Sequence, residues 1–265
     1  MTPTTETEYE SAFQHGVASL ANLRLQELNT AIIPEGYRLE DLEDCLPAPT
    51  RIRESVKLTR SESFEEYVND FKRDGTLIFA DIAKRTFEAV LDYHTSNEEP
   101  TWGTHKATLS LPFSSQFEAW RGKHRQWQTQ VDFAEWLEDR ELDVIDPNGA
   151  TLLTLASNLE ATKTARFKSS TRLDNGASSL VYEESIDGRG NGQIRIPSEF
   201  TLRIPVFEGG EFVSIRARLR YRIDAGLKFT YIMEEPTEIV RNQFLLVADS
   251  IKENTECSLV YGSRS

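Results

Sequence analysis

Sulfur and histidine are scarce in this chain, and their scarcity removes several kinds of chemistry before any motif is sought. Cys45 and Cys257 are the only cysteines in 265 residues, so no disulfide framework is available and a reducing, cytoplasmic setting is expected. The histidines are His15, His94, His105 and His124, with no His-x-His, no His-Glu-x-x-His and no Cys-x-x-Cys. His94, beside Asp92, could meet His105 and Asp81 in space, but hydrogen-bonded or surface histidines are the simpler reading, and no metal is expected. No run reaches about 18 apolar residues, and Met1-Thr2-Pro3-Thr4-Thr5-Glu6 offers neither a basic n-region nor an apolar h-region. Neither a membrane span nor a secretory leader is therefore expected, and no repeat of fixed period is visible.

Motifs for group transfer are missing too. There is no Gly-x-x-x-x-Gly-Lys-Ser/Thr, and Gly188-Arg189-Gly190-Asn191-Gly192 lacks the strand-to-helix setting of a dinucleotide loop. Gly-x-Ser-x-Gly is absent, and Cys45 sits in an acidic Asp-Cys-Leu-Pro context that raises a thiol pKa. Adjacent carboxylates such as Glu65-Glu66 and Glu234-Glu235 read as solvated surface. No catalytic residue and no cofactor is expected, and the chain reads as non-enzymatic.

Basic residues are the minority charge, 30 against 43 acidic, for a net charge of −13. That balance argues against a general polyanion binder. The excess is uneven: residues 1–150 hold 15 Lys/Arg and 28 Asp/Glu, whereas residues 151–265 hold 15 of each. With 38% hydrophobic and 10% aromatic residues, the chain has ordinary globular composition and can bury a sizeable core.

Apolar spacing predicts a helix over 7–29, a strand over 51–58, and a helix opened by the capping-box pattern Ser63-Phe64-Glu65-Glu66 and closed near Gly75. Residues 76–80, 86–93 and 104–111 read as strands of a small antiparallel sheet, with Ala107, Leu109 and Leu111 facing inward. Ser114 or Ser115 can cap a helix bearing Phe117 and Trp120; a second helix runs from Thr129 to about Arg140, and a third follows the turn Asp146-Pro147-Asn148-Gly149. From Thr162 to Met233 the period changes to two, predicting a meander of five or six strands. Pro236 then starts a closing helix through Ile251, and Leu259-Val260-Tyr261 can return as a short strand. The fold class expected is α+β: an acidic mixed region over 1–146, then an antiparallel β-meander with a closing helix over 147–265, or one continuous domain.

What the chain has in abundance is arginine at alternate positions. Ile215-Arg216-Ala217-Arg218-Leu219-Arg220-Tyr221-Arg222-Ile223 puts apolar side chains on one strand face and arginines on the other. A two-residue turn at Gly209-Gly210 would pair Phe207 with Phe212, Ile204 with Ile215 and Phe200 with Leu219, and would set Arg203 beside Arg216. A three-residue loop at Asp224-Ala225-Gly226 would pair Tyr221 with Phe229 and Leu219 with Tyr231. Both hairpins leave Arg203, Arg216, Arg218, Arg220, Arg222 and Lys228 on one surface.

Several stretches together, among them Gln130-Val131-Asp132-Phe133-Ala134-Glu135, Phe200-Thr201-Leu202-Arg203-Ile204-Pro205-Val206-Phe207 and Arg216-Ala217-Arg218-Leu219-Arg220-Tyr221-Arg222, resemble the YfdQ-like proteins, a family of unknown function carried by phages and prophages. The resemblance covers roughly residues 75–235 and implies an intracellular phage-type protein, acting on DNA metabolism or host defence.

Trp102, Trp120, Trp127 and Trp136 fall around Arg121, Lys123, His124 and Arg125. Trp120, Arg121, Arg125 and Trp127 are thus candidates for stacking bases of single-stranded nucleic acid, against the plainer reading of core aromatics. The arginine surface repels itself unless compensated. Three partners follow: acidic helices of a sister subunit, giving a homo-oligomer; nucleic acid; or a host protein occupied by the acidic half. Self-assembly through charge-complementary surfaces is the reading preferred here.

Overall fold

The computed structural model describes residues 46–161, 166–172, 178–183, 191–223 and 226–264. The chain divides into two units, Met1–Ile52 and Arg53–Ser265. Within the first, residues 46–52 form neither helix nor strand, and the helix expected over 7–29 lies outside the described residues. The second unit carries strands β1 (Ser55–Leu58), β2 (Leu77–Asp81), β3 (Thr86–Val90), β4 (Lys106–Ser110), β5 (Gln128–Thr129), β6 (Val144–Asp146), β7 (Arg166–Arg172), β8 (Ser178–Glu183), β9 (Asn191–Ile196), β10 (Glu199–Pro205), β11 (Phe212–Ile223), β12 (Leu227–Met233) and β13 (Ser258–Tyr261). Its helices are α1 (Ser61–Phe71), α2 (Ser115–Lys123), α3 (Gln130–Glu138), α4 (Gly149–Ala161) and α5 (Pro236–Thr255). The class is α+β.

The first sheet has strand order β1-β4-β3-β2-β13. Its centre, β4-β3-β2, is the small antiparallel sheet expected, and the structure adds β1 parallel to β4 and β13 parallel to β2 at its two edges. Alternation tells which side chains of a strand face inward; it says nothing of a neighbour's direction, which the intervening connections decide. Ile78, Ala80, Phe87, Ala89, Ala107 and Leu109 form the buried face. They share a core with Phe64 and Val68 of α1 and with Phe244, Ala248 and Ile251 of α5, and Phe87 stacks on Phe244 at 4.5 Å. α1 begins at Ser61, two residues before the expected cap, and its N-cap Arg60 makes no side-chain cap bond. Burial of Phe64 draws the first turn in, so packing outweighs the capping pattern.

The second sheet, ordered β5-β12-β11-β10-β6, is antiparallel throughout. One face buries Phe200, Leu202, Ile204, Ile215, Ala217, Leu219, Phe229, Tyr231 and Met233 in the core that also takes Phe117 and Trp120 of α2 and Phe133 and Leu137 of α3. Both helices start where hydroxyl caps are available: Ser114 Oγ accepts from the Phe117 N–H at 3.0 Å, and Thr129 Oγ1 from the Asp132 N–H at 3.2 Å. β7, β8 and β9 form a separate antiparallel sheet. The single meander expected is thus two meanders of three strands, interrupted at Pro197-Ser198, where proline withholds a ladder donor. The turn at Asp146-Pro147 lies inside the second unit, and β6, which ends there, joins the second sheet beside β10.

Candidate functional site

The arginine-bearing face of the second sheet is the feature with chemistry to offer. Apolar residues of β11 point into the core, and the alternation of a strand then turns Arg216, Arg218, Arg220 and Arg222 outward; all four are exposed. Alternate residues on one strand face stand about 6.7 Å apart, so the row extends for roughly 20 Å.

The second hairpin pairs as expected, Tyr221 with Phe229 and Leu219 with Tyr231. The first is displaced by two residues: Pro205 faces Phe212, Ile204 faces Val213, Leu202 faces Ile215 and Phe200 faces Ala217. A shift of two keeps every side chain on its expected face, whereas a shift of one would reverse them all. The cause lies at the end of β10. Phe207 is buried and forms a β-bridge with Phe113, Ser114 donates its N–H to the Val206 carbonyl, and Glu208 donates its N–H to the Pro112 carbonyl. Val206 and Phe207 are thus withdrawn from the hairpin, which closes through a longer turn with Gly209 at φ +70°, and Phe212 is left 58% exposed.

This shift changes the charge map. Arg203 stands opposite Ser214 rather than Arg216, and Glu199 opposite Arg218, which relieves the expected like-charge neighbour. Asp146 is opposite Thr201 and Thr201 opposite Arg216, so one row of the face starts from a carboxylate at the β6 edge. Arg218 Nε approaches Glu234 Oε1 at 3.9 Å, a long and solvent-exposed pair contributing about 0–1 kcal/mol. Arg216 and Arg220 make no ion pair among the described residues. Arg222 lies opposite Lys228, and its guanidinium sits 4.4 Å from the centroid of the Trp127 ring. At this exposure such a contact is worth about 0.5–1 kcal/mol.

The two groups of candidate residues therefore meet at one point only. Trp127 is 40% exposed and belongs to the arginine face, a meeting that sequence reasoning missed although the alternation Trp127, Gln128, Thr129 into an edge strand could have signalled it. Trp120 is closed to any base. It is fully buried, its ring packs edge-on against Trp136 at 4.4 Å, its Nε1–H donates to Asp143 Oδ2 at 2.7 Å, and its carbonyl accepts the Tyr231 hydroxyl. Arg121 stacks on Phe113 at 5.1 Å, and Arg125 occupies a left-handed turn with φ 62°, its N–H donating to the Tyr231 carbonyl.

Three histidines have structural bonds. His94 Nδ1 accepts the Thr101 N–H at 3.0 Å and His124 Nδ1 the Met233 N–H at 3.0 Å, while His105 Nε2 meets the Tyr67 hydroxyl at 2.9 Å. Burial lowers the pKa of His105 and of His124. Asp92 spends its carboxylate on the N–H groups of Thr104 and His105, and among the described residues no three His, Cys, Asp or Glu side chains gather as metal ligands.

A second charged surface lies on the helices of the first sheet. α1 carries Glu62, Glu65, Glu66 and Asp70 and no basic residue. Glu65 binds Asn254 Nδ2 at 2.8 Å and the Ser250 hydroxyl at 3.3 Å, which sets α1 beside α5, where exposed Asp249 and Glu253 are offset by exposed Arg241 and Lys252. Glu62, Glu66 and Asp70 are exposed at i, i+4 and i+8, a spacing of like charges that weakens an isolated helix.

These features define an α+β protein with an arginine-bearing sheet face and an acidic helix, α1. Residues 10–264 match the family of uncharacterized conserved proteins DUF2303, and the chain belongs to that family. No curated protein and no solved structure matches it. Among the described residues no helix is long and apolar enough to cross a membrane.

Proposed function

We propose that this is a non-enzymatic protein that assembles with copies of itself, the arginine face of one copy meeting an acidic helical surface, that of α1, on another. One observation carries the reading: Arg216 and Arg220 stand exposed without a carboxylate partner among the described residues, while α1 of the same chain presents only acidic charge. Opposite fields of this kind steer association and fix its register. The net charge of −13 favours a protein partner over a polyanion. A cytoplasmic phage or prophage setting, implied by the resemblance to the YfdQ-like proteins, belongs to the same proposal.

Nucleic acid is the second reading, favoured by the half-exposed Trp127 ring beside Arg222. Light scattering at low and high salt, with and without a single-stranded oligonucleotide, tests both. The self-assembly reading expects a molar mass above the monomer at low salt, falling towards the monomer as salt screens the contact. It also expects an Arg216→Glu/Arg220→Glu variant to stay monomeric. A wild-type chain that is monomeric throughout overturns it; a complex formed only with the oligonucleotide transfers the face to nucleic acid.

A further inference from the structure

Strand and helix repeats nearly coincide on the two charged surfaces. Arginines at alternate positions of β11 recur about every 6.7 Å, and carboxylates at i, i+4 and i+8 of α1 recur about every 6.0 Å. Three successive pairs therefore accumulate an axial mismatch of only about 1.4 Å, and the drift of about 40° per step around the helix is met when α1 crosses β11 obliquely, at the roughly 26° inclination of its i, i+4 row. We infer that α1 of a second copy lies along β11, with Glu62, Glu66 and Asp70 meeting Arg218, Arg220 and Arg222, and with Arg222 clamped over Trp127 at the end of the row. This deepens the self-assembly reading and rests on it.

Trp127 makes that end particular. With its Cζ 4.4 Å over the indole centroid, the Arg222 guanidinium is held at the ring and its planar fork can offer a carboxylate two parallel hydrogen bonds. Stacking also limits the rotamer freedom that an exposed arginine would lose on binding. Thr230, opposite Arg220 on the same strand face, is 3% exposed, so the middle of the row rests on a packed floor. Tryptophan and arginine are the residue types that most often carry the energy of protein interfaces. The occupant is α1 because its exposed charge is of one sign and repeats at the spacing of the row.

Whichever way α1 runs, Arg220 pairs with Glu66, since both are central in their triplets. A double-mutant cycle therefore tests the register without knowledge of orientation. Self-association is measured by sedimentation equilibrium for the wild type, Arg220→Glu, Glu66→Arg and the doubly swapped chain, with circular dichroism confirming that each is folded. Each single reversal is expected to weaken association at least about tenfold, and the double swap to recover most of it. Arg222→Lys, which keeps the charge but gives up the planar fork, is expected to weaken it about tenfold as well. A double swap no better than the worse single variant overturns the docking of α1 on β11. Wild-type association in Arg222→Lys overturns the clamp. If either happens while Arg216→Glu/Arg220→Glu still abolishes association, the arginine face remains the assembly surface with another partner; a wild type that never associates removes both readings together.

Discussion

Phe207 stacks on Phe113 with ring centroids 6.0 Å apart and planes 7° from parallel, and this contact sets the register of the arginine strand. By holding the end of β10 against the segment before α2, it makes the first hairpin close two residues away from its shortest solution.

Cross-linking reads that register directly. In a Cys45→Ser/Cys257→Ala background, Arg203→Cys with Ser214→Cys places two thiols at directly opposed positions, within the usual reach of a disulfide. Arg203→Cys with Arg216→Cys places them diagonally and is expected to oxidise much more slowly. Faster bridging of the second pair would mean that the tight Gly209-Gly210 turn exists in solution.

The imidazoles predict how stability varies with acidity. Burial, against the opposing field of Asp92, leaves the folded-state pKa of His105 below its ordinary value of 6.5, and burial lowers His124 likewise. The unfolded chain then takes up protons first, so this contribution is complete above about pH 6.5 and is lost as pH falls through the folded-state values. Urea midpoints measured from pH 8 down to pH 5 are expected to fall, with a smaller fall in His105→Gln. An unchanged slope in that variant would remove His105 from the account.

Asp143 works in the opposite sense. Burial raises its pKa even though the Trp120 N–H and Arg140 pull it down, so the native state holds this proton more tightly than the unfolded chain does. Its favourable contribution is present at acid pH and is lost as pH rises through the folded-state value. Asp143→Asn keeps an oxygen for Trp120 without the charge, and its thermal midpoint at neutral pH is expected to equal or exceed the wild type. Asp143→Ala leaves a buried indole N–H without a partner and is expected to cost about 1–3 kcal/mol. Equal damage from both substitutions would show that charge, and not burial, governs the site.

How much of this was legible in the sequence depended on the range of the contacts involved. The hairpin at Gly226 could be paired to the residue because its turn is short and both strands alternate cleanly. The preceding hairpin could not, since Phe113 lies far back along the chain and alternation is blind to a displacement of two. Outward projection of the arginines followed from period two alone. The parallel neighbours β1 and β13 depend on connections that periodicity does not encode. Trp120 and Trp127 look alike in a one-dimensional reading; the second turn of α2 takes the first into the core, whereas an edge strand leaves the second at the surface.

β13 completes a sheet whose other strands all precede residue 111, and Phe244 arrives late to cover Phe87. On the ribosome, β2 keeps one edge open and the first core lacks its lid until translation has passed Tyr261. The nascent chain thus carries an unfinished, aggregation-prone layer from residue 111 to residue 261, and β13 is the strand that seals it.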